Sequence, residues 1–261
     1  MVTPRAAPLA GLRVVVTRPQ AQAEGLAELI REAGGEPLCV PAIEIRELAD
    51  PRAVYAIADR LESFDMAVFV SRNAVRAALG LLRARRGGKP WPAKLSVATV
   101  GQGSRQELAA QGFTAVVAPP ARSDSEALLA LPEFAALTGK RIVIFRGEGG
   151  RQLLGETLAA RGAAVEFAAC YQRRRPASGA MQELKARGVD ALTVSSTEGL
   201  ENFLKMLGDG ASQRLARIPL FVPHPRVAEA AARRGLARVI VAGPRDAEMV
   251  AALVAYFGSA S

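Results

Sequence analysis

Histidine occurs once, at His224, and cysteine twice, at Cys39 and Cys170. Neither supplies the paired spacing of a zinc site, and two such distant cysteines build no disulfide framework. The pattern points away from metal catalysis and toward a reducing compartment. A serine-hydrolase mechanism lacks its G-x-S-x-G elbow. Aromatic residues make up only 5% of the chain although half of it is hydrophobic, so the core must be mostly Ala, Leu and Val. Such a core suits helices packed on parallel strands. No apolar run approaches the length of a membrane span, and MVTPRAAPLAG has no apolar core of a secretion signal. A cytoplasmic, membrane-free protein is expected.

Basic residues are in excess, 34 Lys and Arg against 25 Asp and Glu, for a net charge of +9. That balance implies an acidic partner. Apart from Arg83–Lys89 and Arg173–Arg175, the basic residues are scattered, mostly as Arg on helix faces. A nucleic-acid surface needs clustered cations with exposed aromatics, and neither is evident. A scattered pattern is more often a plain solvated face, and an anionic membrane or a polyanionic small molecule stays open as the acidic partner.

Three kinds of unit appear twice each, in the same order. RVVVTRPQAQAEGLAELIREAGGEPL (13–38) is echoed by RIVIFRGEGGRQLLGETLAARGAAVEF (141–167), so that Arg13 matches Arg141, Arg18 matches Arg146 and Gly34 matches Gly162. DMAVFVSRNAVRAAL (65–79) is echoed by DALTVSSTEGLENFL (190–204), aligning Asp65 with Asp190. VATVGQGSRQELAAQGFTAVVA (97–118) is echoed by LFVPHPRVAEAAARRGLARVIVA (220–242), aligning Gly112 with Gly235. Each unit runs from an apolar strand into a helix. Leu26, Leu29, Ile30 and Ala33 form one predicted buried helix face, and Leu200, Phe203, Leu204 and Leu207 another. Segments 125–131 and 248–257 add a final helix to each half. The alternation predicts two similar α/β domains with parallel sheets. The residues alone leave open whether the halves are consecutive or exchange their first units.

In open α/β sheets, ligands bind beyond the carboxyl ends of the strands. Arg18, Ser71, Asn73, Gly101, Gly103, Ser104, Arg146, Ser195, Ser196, His224 and Arg226 all fall there, mostly where a helix begins. Free N–H groups at a helix N-terminus favour carboxylate or phosphate, although Ser at such a position also simply caps the helix. The G-x-G of residues 101–103 is no dinucleotide fingerprint, because Gln106 stands where the third glycine belongs. Gly147–Gly150 likewise lacks the Lys-Ser/Thr of a P-loop. Chemistry must then run on hydrogen bonds, charge and positioning. Tyr171 is one of three tyrosines, and its phenol can donate a proton at neutral pH. Packing between domains is its plainer role.

Seven segments carry a resemblance over nearly the whole chain: VVTRP, FVSRNAV, VGQGSRQEL, SDSEALLALPEF, the run GKRIVIFRGEGGRQLLGETLAARGAAVEFAACYQRRRP, VSSTEGLENFL and VPHPRVAEAAARRG. In that order they resemble the uroporphyrinogen-III synthase family. The resemblance implies two flavodoxin-like domains with exchanged first units, residues 1–43 with 173–261 and residues 46–168. A two-stranded linker at 44–45 and 169–172 would join them, with the active site in the interdomain cleft. It implies a monomer whose substrate is hydroxymethylbilane, a linear tetrapyrrole bearing eight carboxylates. The reaction would be dehydration and ring closure with inversion of the last pyrrole through a spirocyclic intermediate, without cofactor or metal. Tyr171 matches the family's proposed acid. Ser104 stands where Thr is common, and His224-Pro225-Arg226-Val227 replaces G-x-x-T, so a hydroxyl contact at Val227 is lost and His224 or Arg226 becomes the candidate in its place. A two-lobed binding protein for an anionic ligand is the alternative reading.

Overall fold

The computed structural model describes residues 7–120, 124–150, 152–177 and 188–258. Eleven strands run through them: β1 Arg13–Val16, β2 Glu36–Cys39, β3 Glu44–Arg46, β4 Met66–Phe69, β5 Ser96–Thr99, β6 Val116–Val117, β7 Arg141–Gly147, β8 Ala164–Arg174, β9 Ala191–Thr193, β10 Leu220–Val222 and β11 Val239–Val241. The chain divides into two compact units, one formed by Met1–Glu44 with Arg174–Ser261 and the other by Ile45–Arg173.

In the first unit a five-stranded sheet runs β11-β10-β9-β1-β2. In the second a six-stranded sheet runs β3-β8-β7-β4-β5-β6. Strands β7 and β8 are the second copy of the first repeat unit, yet β7 pairs in parallel with β4, while β1 pairs with β9. The first units are therefore exchanged between the halves. Counted from β1 in one unit and from β7 in the other, both sheets have the order 2-1-3-4-5 of flavodoxin-like folds. The second unit is a circular permutation of that order, with β3 added beyond β8.

Pleating explains the layers. Ala67 and Phe69 of β4 and Val143 and Phe145 of β7 pack under the helix Arg72–Arg86. Met66, Val68, Ile142 and Ile144 face the opposite layer, with Leu128, Leu154 and Leu158. Both faces are covered, which is why these strands read as unbroken apolar runs. The first unit repeats the plan, Val15 and Leu192 facing one layer and Val14, Val16 and Ala191 the other.

Matched residues of the duplication do matched work. Asp190 accepts the Arg13 backbone N–H and Asp65 accepts that of Arg141, each at 2.8 Å. Ser71 Oγ caps its helix by accepting the Ala74 N–H at 3.1 Å, and Ser196 Oγ accepts that of Gly199 at 3.0 Å. Gly34 and Gly162 both hold φ +89°, and a Cβ would come within 2.7 Å of Ala7 Cβ or 2.9 Å of Thr138 Oγ1. Glycine is required at both turns.

The helix Gln20–Glu32 turns a slightly different face inward than its leucines suggest. Ala23, Leu26, Ala27 and Ile30 are buried, whereas Leu29 and Ala33 are half-buried. Leu200, Phe203, Leu204 and Leu207 are all buried as the periodicity predicts.

Candidate active site at the carboxyl ends of the strands

In the second unit the carboxyl ends of β8, β7, β4 and β5 lie side by side and carry Tyr171, Gly147, Ser71 and Gly101 in that order. Tyr171 is 4% exposed, and its phenol oxygen lies 3.2 Å from Ser71 Oγ. Ser71 thus holds two roles, accepting the N–H that starts its helix and meeting the tyrosine hydroxyl. Residues 169–172 are strand, continuous with the rest of β8.

Next to this pair stands Arg72, the first residue of the helix Arg72–Arg86. It is exposed, and its side chain makes no ion pair or hydrogen bond with any described residue. A Cβ on Gly103 would lie 3.4 Å from Arg72 Nε, an ordinary van der Waals contact, so the guanidinium packs beside this glycine. Gly101 is the residue before the helix Gln102–Ala110 and has an extended backbone, φ −161°. Neither Gly101 nor Gly103 has a positive φ, so neither is dictated by backbone torsion. Ser104, in the same helical turn, is buried, and Asn73 is half-buried beside Arg72.

The first unit has its own rim. Ser195 is exposed and Ser196 caps the helix Thr197–Leu207. His224 and Arg226 are exposed at the start of the helix Pro225–Arg233, and neither side chain bonds to a described residue. Among the described residues no three His, Cys, Asp or Glu side chains gather to hold a metal ion, and no helix is long and apolar enough to cross a membrane.

A sequence profile for uroporphyrinogen-III synthase HemD matches residues 6–251. The chain belongs to the uroporphyrinogen-III synthase family. It is 34% identical to the uroporphyrinogen-III synthase of Salmonella typhimurium, covering 90% of this chain and 96% of that protein. Identity to the Escherichia coli uroporphyrinogen-III synthase is 31% with the same coverage. A crystal structure of a mutant uroporphyrinogen III synthase from Thermus thermophilus superposes with a TM-score of 0.63 at 20% identity, over 96% of this chain and all of that one. The Helicobacter pylori uroporphyrinogen-III synthetase gives 0.61 at 13% identity, over 94% and 99%. At such identities the structures speak for the fold.

In this member of the uroporphyrinogen-III synthase family, two arginines expected to meet carboxylates are turned inward. Arg18 is buried and forms an ion pair with Asp246. Its repeat partner Arg146 is also buried, donates to the Gly149 carbonyl and lies 4.8 Å over the Phe167 ring. Burial, and then the nearby Arg173, pull the Arg146 pKa down from its ordinary value, while the Tyr171 phenol pushes it up. Both arginines pin loops that border the rim. Arg72, by contrast, presents an exposed guanidinium at the rim of the second unit, which its place between Ser71 and Asn73 already signalled. Gly147 had no signal beyond its position at the end of an apolar strand.

Proposed function

We propose that this chain is a uroporphyrinogen-III synthase, a lyase that dehydrates hydroxymethylbilane and closes it with inversion of the last pyrrole. The observation that carries the reading is the contact between Tyr171 and Ser71 on a rim of open helix N-termini. The Tyr171 phenol donates its proton as the terminal hydroxyl leaves as water. Ser71 fixes the direction of that hydroxyl and keeps the phenol facing the leaving oxygen. After the ring closes, the tyrosinate takes back the proton that the pyrrole sheds, so the enzyme ends as it began.

Carboxylates of the substrate are held by Arg72 and the N–H groups around Gly101–Ser104. Helix N-termini favour such anions through their free N–H groups and dipole. The harder task is positional, because the bilane closes without help to the uninverted isomer. Holding the last pyrrole so that its substituted carbon attacks is catalysis by orientation.

The test is to supply freshly generated hydroxymethylbilane and resolve the porphyrin isomers after oxidation. Mostly type III is expected. Type I alone, as without protein, would sink the proposal and leave only anion binding.

A further inference from the structure

Strand β7 separates β8 from β4, so the Tyr171 side chain must lean across a neighbouring strand to reach Ser71. Two features allow this. The register of β7 with β8 slips after Arg146: Arg146 faces Ala169 but Gly147 faces Tyr171, leaving Cys170 as an extra residue. In a regular strand Tyr171 would point away from the face occupied by Ala168 and Cys170. Across the bulge all three sit in one buried cluster with Phe69 and Phe145. Such bulges re-aim side chains beside active sites.

The second feature is the crossing point. A Cβ on residue 147 would lie 2.8 Å from both Cε2 and Cζ of Tyr171 and 3.1 Å from its oxygen. The ring therefore rests directly on the Gly147 backbone. The bulge is filled from within, since the Cys170 thiol donates to the Arg146 carbonyl at 3.1 Å. Burial pushes that thiol up to about 12, so the donor proton is retained at neutral pH. Past the bulge the ladder closes again, the Glu148 N–H donating to the Tyr171 carbonyl at 2.9 Å.

We infer that Gly147 and the one-residue bulge at Cys170 are positioning elements that aim the Tyr171 hydroxyl at Ser71 and thereby set the rate of the proton-donating step. This rests on the reading of Tyr171 as the proton donor. The three atoms nearest a Cβ at residue 147 all belong to Tyr171, so a substitution there acts first on Tyr171.

A double-mutant cycle on the whole chain tests it, with Gly147→Ala, Tyr171→Phe and the pair. Gly147→Ala should lower kcat by about tenfold or more with KM within about twofold, since a displacement of about 1 Å suffices for such losses. Added to Tyr171→Phe it should slow turnover no further. The ring resonances of Tyr171, assigned by their loss in Tyr171→Phe, should shift in Gly147→Ala while those of Tyr55 and Tyr256 stay. A wild-type kcat in Gly147→Ala, additive slowing in the pair, or unmoved Tyr171 resonances would each overturn the inference. If instead Tyr171→Phe alone keeps the wild-type rate, the proton-donor reading falls, and the aiming role is then decided by the resonances. Should Gly147→Ala not fold, Cys170→Ala and Cys170→Ser decide. The alanine should lower kcat and the serine, which restores a donor to the Arg146 carbonyl, should recover it. Equal rates in both variants would overturn the role of the bulge.

Discussion

At the scale of single residues, burial separates arginines that hold the protein together from those free to meet a ligand. Arg18 and Arg146 look alike in sequence and both end a strand, but Arg18 pairs with Asp246, far along the chain, and Arg146 donates to a loop carbonyl. Elsewhere arginines are paired with carboxylates, as in Arg60–Glu166, Arg85–Asp59 and Arg234–Glu201. Arg72 stays exposed beside Tyr171 and Ser71, so Arg72→Ala should act on binding. A partly solvated guanidinium–carboxylate contact contributes about 1 kcal/mol, which is about a fivefold rise in KM with kcat little changed. The melting temperature should stay put, and the KM of the variant should depend less on ionic strength than that of the parent. An unchanged KM would remove Arg72 from the site. Sequence alone does not tell the buried Arg18 and Arg146 from the exposed Arg72 and Arg226, because burial depends on carboxylates and carbonyls brought near a guanidinium only by folding.

At the scale of elements, the repeat makes a paired prediction. Asp65 and Asp190 each receive the N–H of the arginine that opens the neighbouring first strand. Replacing either with Ala removes one partner of a partly buried bond, a loss of about 1 kcal/mol that should be similar for the two. For Asp65 the pH dependence has a definite sign. The Arg141 backbone N–H, and then Lys140, hold its carboxyl below the usual carboxylate range. A depressed folded pKa means that the stabilisation is present at neutral pH and fades as pH falls through the acidic range. Urea titrations should therefore show the gap between the parent and Asp65→Ala shrinking below about pH 4. A gap that persists unchanged in acid would rule out ionisation of Asp65 as its source. The elements themselves were largely legible, because an apolar run followed by a stripe such as Leu200, Phe203, Leu204 and Leu207 has one physical solution. The face of helix Gln20–Glu32 was less so, since buried Ala23 and Ala27 carry little hydrophobic signal. The bulge at Cys170 had none at all: one additional residue in a strand changes which way side chains point without changing composition.

At the scale of the whole molecule, exchange of the first units makes one folding unit continuous and the other discontinuous. The repeated units were visible in the residues, but their partners were not, because strand pairing depends on topology rather than on local pattern. Ile45–Arg173 contains β4 to β7, all but the last residue of β8, both of its core layers and the Asp65–Arg141 contact within a single stretch. Its size is that of an ordinary independent domain. The other unit depends on β1 lying between β2 and β9, so two of its strands come from one end of the chain and three, β9, β10 and β11, from the other. Removing residues 1–44 would strip Val14, Val15 and Val16 from both of its layers and leave β9 with an open edge. A fragment of residues 45–173 should therefore unfold in one cooperative urea transition with mixed α/β circular dichroism. The chain lacking 1–44 should show that same transition, with residues 174–261 exchanging amide protons as an unfolded segment. Adding back a peptide of residues 1–44 should restore protection to β9 and β10. If residues 174–261 were protected without the peptide, the second half of the chain would carry its own complete core, and the exchange would not govern folding.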